Sequence, residues 1–198
     1  MITLHRERLR AAVCEAYTKA ALAPQSEHRF PVGRTFAESL DYPATQLQTI
    51  PSISIEAFSG VSNVSIFANF PPSSRVLDLG CGAGFDSLIA GRRVGADGLV
   101  VGVDFSQPML LRARSAALQA NAANVHFCRA AGESLPIKSG AVDVAIVNGF
   151  FNLNPARTQI FTELARVVRL GGFVYAAELI LIGPLPPEVQ ASEDNWFA

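Results

Sequence analysis

From Arg75 onward, apolar runs and amphipathic stretches alternate along the chain. Continuous apolar segments predict strands over 75–79, 99–103, 124–128, 142–147 and 172–181. The intervening periodicities predict helices over 85–94, 107–121 and 155–169. Strand and helix in strict alternation imply an α/β fold, a doubly wound parallel sheet with helices on both faces. The first, fourth and fifth runs are almost wholly apolar, as expected of strands covered on both sides. Right-handed crossovers then give the spatial order 3-2-1-4-5, with a ligand crevice at the carboxyl ends of strands 1 and 4.

Ahead of this core the pattern changes. Leu9, Val13, Ala16, Tyr17 and Ala20 share one side of a helix predicted over 6–22, which Pro24 stops. Residues 24–72 mix proline, serine, threonine and glutamine with short apolar pieces, and predict irregular structure with one short helix at most. Residues 1–72 are therefore read as an N-terminal helical cap, and 73–198 as the core of a single domain, entered through Pro71-Pro72-Ser73-Ser74. A length of 198 residues allows a sizeable core, and 49% hydrophobic against 17% charged residues excludes disorder. The net charge of −1 gives no electrostatic basis for nucleic-acid binding, and no apolar run reaches membrane-spanning length. His5-Arg6-Glu7-Arg8-Leu9-Arg10 reads as a solvated helix face. Cys14, Cys81 and Cys128 show neither metal-ligand spacing nor a disulfide framework, so no metal is expected and a reduced, cytoplasmic setting is.

The chemistry concentrates at Val76-Leu77-Asp78-Leu79-Gly80-Cys81-Gly82-Ala83-Gly84, where the first strand ends in an acid followed by alternating glycines. A dinucleotide turn, G-x-G-x-x-G, would need its third glycine at Phe85. A carboxylate beside a pyrophosphate is also unfavourable. Asp78 suits a ligand with a cation near the turn, the following helix N-terminus suits an anionic group, and Asp104 at the end of the second strand suits a ribose. S-adenosylmethionine carries an ammonium, a sulfonium, a carboxylate and a ribose.

VLDLGCGAGFDS followed by VVGVDFS resembles motifs I and II of the class I S-adenosylmethionine-dependent methyltransferases, which have a Rossmann-like fold. The resemblance runs from about Ile50 to the end of the chain. It is closest to the arsenite-methyltransferase-like (UbiE-like) branch, through segments 90–95, 148–153, 163–172 and 184–187. It implies the cofactor S-adenosyl-L-methionine, held by Asp78, Gly80, Cys81, Gly82, Gly84, Asp104, Phe105, Met109, Ala131, Gly132, Glu133 and Asn148. In these roles the glycines wrap the methionine moiety, Asp78 supports its ammonium and Asp104 accepts both ribose hydroxyls. Phe105 and Met109 lie beside the adenine. The branch usually has an acid for the adenine amine where this chain has Ala131, so the base is left to backbone near Gly132 or to Glu133.

Asn148 is expected to face the methyl group and is the catalytic candidate, with Gly149, Asn152 and Asn154 on the floor of an acceptor pocket; these asparagines could instead cap the next helix. If the acceptor must lose a proton, base candidates are His28, Tyr17, Tyr42 and Glu178. Arsenite methyltransferases hold arsenic with cysteines. Here two of those positions fall at or near Val61 and Gly149, and the one beyond Pro187 is absent, so no arsenic site is expected. The family's C-terminal helix and antiparallel hairpin also have no counterpart before Ala198. That predicts an exposed apolar edge on strand 5, from a shortened chain or one that docks a second copy or another chain there. The expected activity is methyl transfer to a small-molecule acceptor; the alternative is a non-catalytic cofactor-binding scaffold docking through that edge.

Overall fold

The computed structural model describes residues 2–184, with side chains from residue 7. Five parallel strands form one sheet in the order β3-β2-β1-β4-β5: β1 (Arg75–Leu79), β2 (Leu99–Asp104), β3 (Val125–Arg129), β4 (Val142–Asn148) and β5 (Val168–Ala177). The topology matches the order expected from the sequence. Leu77, Leu79, Val100, Ala145 and Ile146 are essentially without exposure, which is why these strands read as unbroken apolar runs.

Local chemistry sets the crossover helices. The helix α6 (Phe85–Val94) follows Gly84 in a left-handed conformation and ends at Gly95, also at positive φ. In α7 (Gln107–Gln119) the Ser106 hydroxyl accepts the Met109 N–H at 3.5 Å, and proline occupies the first turn. The last helix, α8 (Arg157–Val167), begins two residues later than expected and runs straight into β5.

β5 departs most from expectation. It starts at Val168 rather than 172 and stops at Ala177, so 178–181 are not strand. Its first part is displaced by an irregularity: Val142 pairs with Val168, but Val144 pairs with Phe173. Gly171, at positive φ, lies in the extra loop of chain. Among the described residues no strand pairs with the outer edge of β5, and Leu170 before this glycine (99%) and Phe173 (60%) and Val174 (45%) beyond it are exposed. Residues 185–198, which include the position beyond Pro187, lie outside the described residues.

The N-terminal segment is more helical than its composition suggests. After the long α1 (Ile2–Leu22) come four short helices: α2 (Arg34–Ser39), α3 (Ala44–Leu47), α4 (Ser52–Ile55) and α5 (Val64–Phe67). None is long enough to be stable alone. An aromatic cluster anchors them to the core: the Phe85 ring lies 4.5 Å from Phe58 and 4.8 Å edge-on to Tyr42. Arg112 of α7 adds a polar tie, donating to the Ala21 carbonyl (2.7 Å) and the Ile53 carbonyl (3.2 Å) and pairing with Glu56 at 3.4 Å. Among the described residues no helix is long and apolar enough to cross a membrane.

Candidate active site

The carboxyl ends of β1, β2 and β4, the turn after β3, and the cap surround an open cleft. Gly80, Gly82 and Gly84 all adopt positive φ, so the bend after β1 depends on their lack of a side chain. Gly80 and Gly132 also leave room for Phe150, whose ring a Cβ at either position would meet within 2.8 Å. Phe150 therefore lies between the bends after β1 and β3. Gly82 differs: a Cβ there would meet nothing within 4 Å.

Asp104 is 8% exposed and lines the cleft. Its two oxygens accept the Gly82 N–H at 2.9 Å and the Ser106 N–H at 2.8 Å, so it fixes both bends. Each carboxylate oxygen has two acceptor positions, which leaves capacity for ligand hydroxyls. Asp78 is buried and accepts the Ser87 hydroxyl at 2.5 Å. Burial, reinforced by neighbouring Asp86 and Asp104, pushes its carboxyl up to about 8. Burial also raises Asp86 and Asp104, against the opposing pull of their hydrogen bonds. Among the described residues, the donors at all three carboxylates are hydroxyls, amides or backbone N–H groups rather than cations.

Ten of the twelve expected cofactor residues line this cleft: Asp78, Gly80, Cys81, Gly82, Asp104, Phe105, Ala131, Gly132, Glu133 and Asn148. Two do not. Met109 is 1% exposed and packs among Ala20, Ala21, Ala57 and Ala83, so it serves the joint between cap and core. At Gly84 a Cβ would meet the Phe127 ring at 2.7 Å, so that glycine answers to packing beneath the bend.

The amide of Asn148 is engaged by the cap. Its oxygen accepts the Val61 and Ser62 N–H groups (2.8 and 3.2 Å), and its nitrogen donates to the Ser62 carbonyl (2.7 Å) and to Asp86 (2.9 Å). Asp86 also receives Tyr42 at 2.6 Å and the Ser65 hydroxyl, so one buried carboxylate joins two cap segments to the end of β4. Gly60 is essential to this closeness: a Cβ there would stand 2.4 Å from the Asn148 amide nitrogen.

Of the four base candidates Tyr17 alone lines the cleft, stacked at 4.8 Å on Phe30; burial raises its phenol above the usual range. Tyr42 is consumed by Asp86, and His28 turns back to the Ala23 carbonyl at 3.0 Å. The Glu178 carboxylate accepts the Phe151 and Asn152 N–H groups at 2.6 and 3.2 Å. Asn154 lines the cleft and accepts the Ala156 N–H at 2.8 Å, while Asn152 donates to the Leu179 carbonyl. Val61 and Gly149 are neighbours, a Cβ on Gly149 falling 2.9 Å from the Val61 side chain. Cys81 is a buried thiol in the first bend, held protonated chiefly by burial. Among the described residues no group of three or more His, Cys, Asp or Glu side chains is placed to hold a metal ion.

Sequence reasoning missed Arg10, Asp86, Ser59 and Phe150, all of which line the cleft. Asp86 was detectable as an acid two residues past the last glycine of the bend. Arg10 had no such signal, because its run reads as a solvent-facing helix.

The sheet order, the glycine bend and the two strand-end acids define a class I S-adenosylmethionine-dependent methyltransferase fold, whose cofactor is S-adenosylmethionine. The chain belongs to the family described as methyltransferase domain, whose profile matches residues 72–197. It is 35% identical over 159 residues to an arsenite methyltransferase of Halobacterium salinarum, covering 80% of this chain and 40% of that protein. A demethylmenaquinone methyltransferase of Lactococcus lactis is 31% identical over 103 residues, covering 52% of this chain and 41% of that one. The crystal structure of an arsenic(III) S-adenosylmethionine methyltransferase from Chlamydomonas reinhardtii superposes with a TM-score of 0.63 at 26% identity, covering 85% of this chain and 57% of that one. The chain thus spans about two fifths of the length of these curated relatives.

Proposed function

We propose that this chain binds S-adenosylmethionine in the cleft and directs its methyl group to a small-molecule acceptor under the cap. The observation that carries the reading is the pairing of an open glycine bend at Gly82 with three buried carboxylates that, among the described residues, have no cationic partner at their hydrogen-bonding atoms. Asp78 would support the ligand's ammonium, Asp104 its ribose, and the Gly80–Gly84 bend the methionine moiety. The bound cofactor would supply an electrophilic methyl group on a sulfonium. The chain's own part is then positioning and exclusion of water, by a cleft that Phe58, Ser59 and Gly60 of the cap line together with Phe150 and Leu153.

Asn148 is best read as a positioning residue that holds the cap on the end of β4. Val61 and Gly149, which occupy positions where the resembling branch carries cysteines, offer no thiolate, so the proposed acceptor is held by shape and polar contacts rather than by sulfur. Calorimetry with S-adenosylmethionine and S-adenosylhomocysteine tests the cofactor reading. The expected result is saturable binding lost in Asp104→Ala; a folded wild-type protein that takes up neither ligand overturns it.

The open edge of β5 favours a second reading, a cofactor-binding subunit that docks another chain there. Sedimentation separates the two: turnover by a clean monomer excludes the scaffold role.

A further inference from the structure

We infer that Phe150 selects for positive charge on the cofactor's sulfur, so that its ring favours the methyl donor over the spent thioether; the inference rests on the cofactor reading above. Phe150 is half-buried and lines the cleft. A Cβ built on Gly80 would meet its ring at 2.6 Å and one built on Gly132 at 2.8 Å, so the ring reaches from the bend after β1 to the turn after β3. Phe151 packs edge-on against it, ring centres 6.3 Å apart, and is itself stacked on Phe161 of α8 at 4.6 Å. The Phe151 N–H donates to Glu178 at 2.6 Å. This wall of the cleft is therefore braced by both side chain and backbone.

The order of groups along the cleft supplies the position. With a methionine moiety at the Gly80–Gly84 bend and a ribose at Asp104, the sulfur that joins them comes beside Gly80, where the Phe150 ring lies. Among the described residues the cleft is lined by four acids, Asp78, Asp86, Asp104 and Glu133, and by one cation, Arg10, which is paired with Glu133 at 2.8 Å. Those surroundings favour a positive ligand. The acids themselves are poor neighbours for a sulfonium, because a carboxylate in contact with it is a nucleophile for its methyl group. An aromatic ring attracts a cation through its quadrupole and offers no lone pair to compete for that methyl. Transfer to the acceptor leaves the bonding pair on sulfur, which becomes neutral and keeps only the weaker contact of a thioether with the ring. The attraction therefore ends with the reaction, which favours release of the product.

The test is calorimetric titration of the full chain with S-adenosylmethionine, S-adenosylhomocysteine and sinefungin, whose ammonium replaces the methylated sulfur. Phe150→Leu, which keeps an apolar side chain, should lower affinity for the two cationic ligands relative to the thioether by about threefold to thirtyfold. Phe150→Tyr should keep the wild-type ratio. Phenylalanines of increasing fluorination at position 150 preserve the shape of the ring while draining its negative face, and should lower the ratio stepwise. That series guards against a fold defect in the leucine variant. Equal loss for all three ligands in Phe150→Leu, or a ratio indifferent to fluorination, marks the ring as filler and overturns the inference while leaving cofactor binding intact. A folded wild type that binds none of the three removes the cofactor reading as well.

Discussion

The bends after β1 and β2 and the turn after β4 lie on the same edge of the sheet, and both carry polar residues that sequence alone would assign to a ligand. They differ in how their hydrogen-bonding capacity is used. Asp104, which lines the cleft, accepts one backbone N–H at each oxygen, and a carboxylate oxygen has two acceptor positions. Asn148 spends its amide on Val61, Ser62 and Asp86, all of it holding the cap. A polar residue at a strand's carboxyl end is thus a site candidate by position, and a site residue only if it has bonds left to give.

The largest expected effect falls on the first region. Asp104→Ala should reduce S-adenosylhomocysteine affinity by about a hundredfold or more, since it removes charged acceptors for the ribose and frees two backbone N–H groups. Loss of less than about tenfold by calorimetry would erase the contrast. Asn148→Ala should act in the opposite sense, lowering stability by about 2–3 kcal/mol in urea titration while changing cofactor affinity by no more than about threefold. Faster proteolytic cleavage within residues 57–65 would mark the cap as the part released.

A third test uses pH. The Asp78 carboxyl is raised from 3.8 to about 8, so between those values the folded protein keeps a proton that the unfolded chain has released. Stability contributed by this group therefore falls as pH rises through that window. A cationic ligand favours the ionised form, so affinity should rise from pH 6 to 8, by up to about tenfold per unit. Binding should release protons, detectable by calorimetry in buffers of different ionisation enthalpy. Asp78→Asn should flatten the profile. The smallest effect is expected for Tyr17→Phe, which removes the hydroxyl of a cleft-lining residue but keeps its ring stacked on Phe30: it should cost no more than about 0.5–1.5 kcal/mol in urea titration without altering the pH profile of binding.

The sheet was legible because apolar runs of strand length, alternating with helical periodicities, leave few alternative orders. The bends after β1 and β2 were legible for a local reason: Asp78, Gly80, Gly82 and Asp104 lie within or directly after their own strands. The cap was not. Its helices α2 to α5 have four to six residues each, too short to imprint a period, and they are held by rings such as Phe58 and Tyr42 that meet Phe85 across the fold. The bond from Asn148 to Asp86 spans 62 residues, so no local pattern announces it. Met109 has the spacing of a base-side residue but lies one layer deeper, where only three-dimensional packing separates a cleft wall from core. The start of β5 was misplaced because Leu170-Gly171-Gly172 reads as a turn before a strand. It is instead slack within the pairing of β5 with β4.

Phe150 belongs to the segment after β4, yet its ring is wedged against Gly80 and Gly132, which belong to the opposite half of the cleft. The segment after β4 therefore acts as a spacer that sets the width of the cleft. Grafting a relative's loop onto this scaffold would alter that width too, unless the aromatic ring is carried across with it.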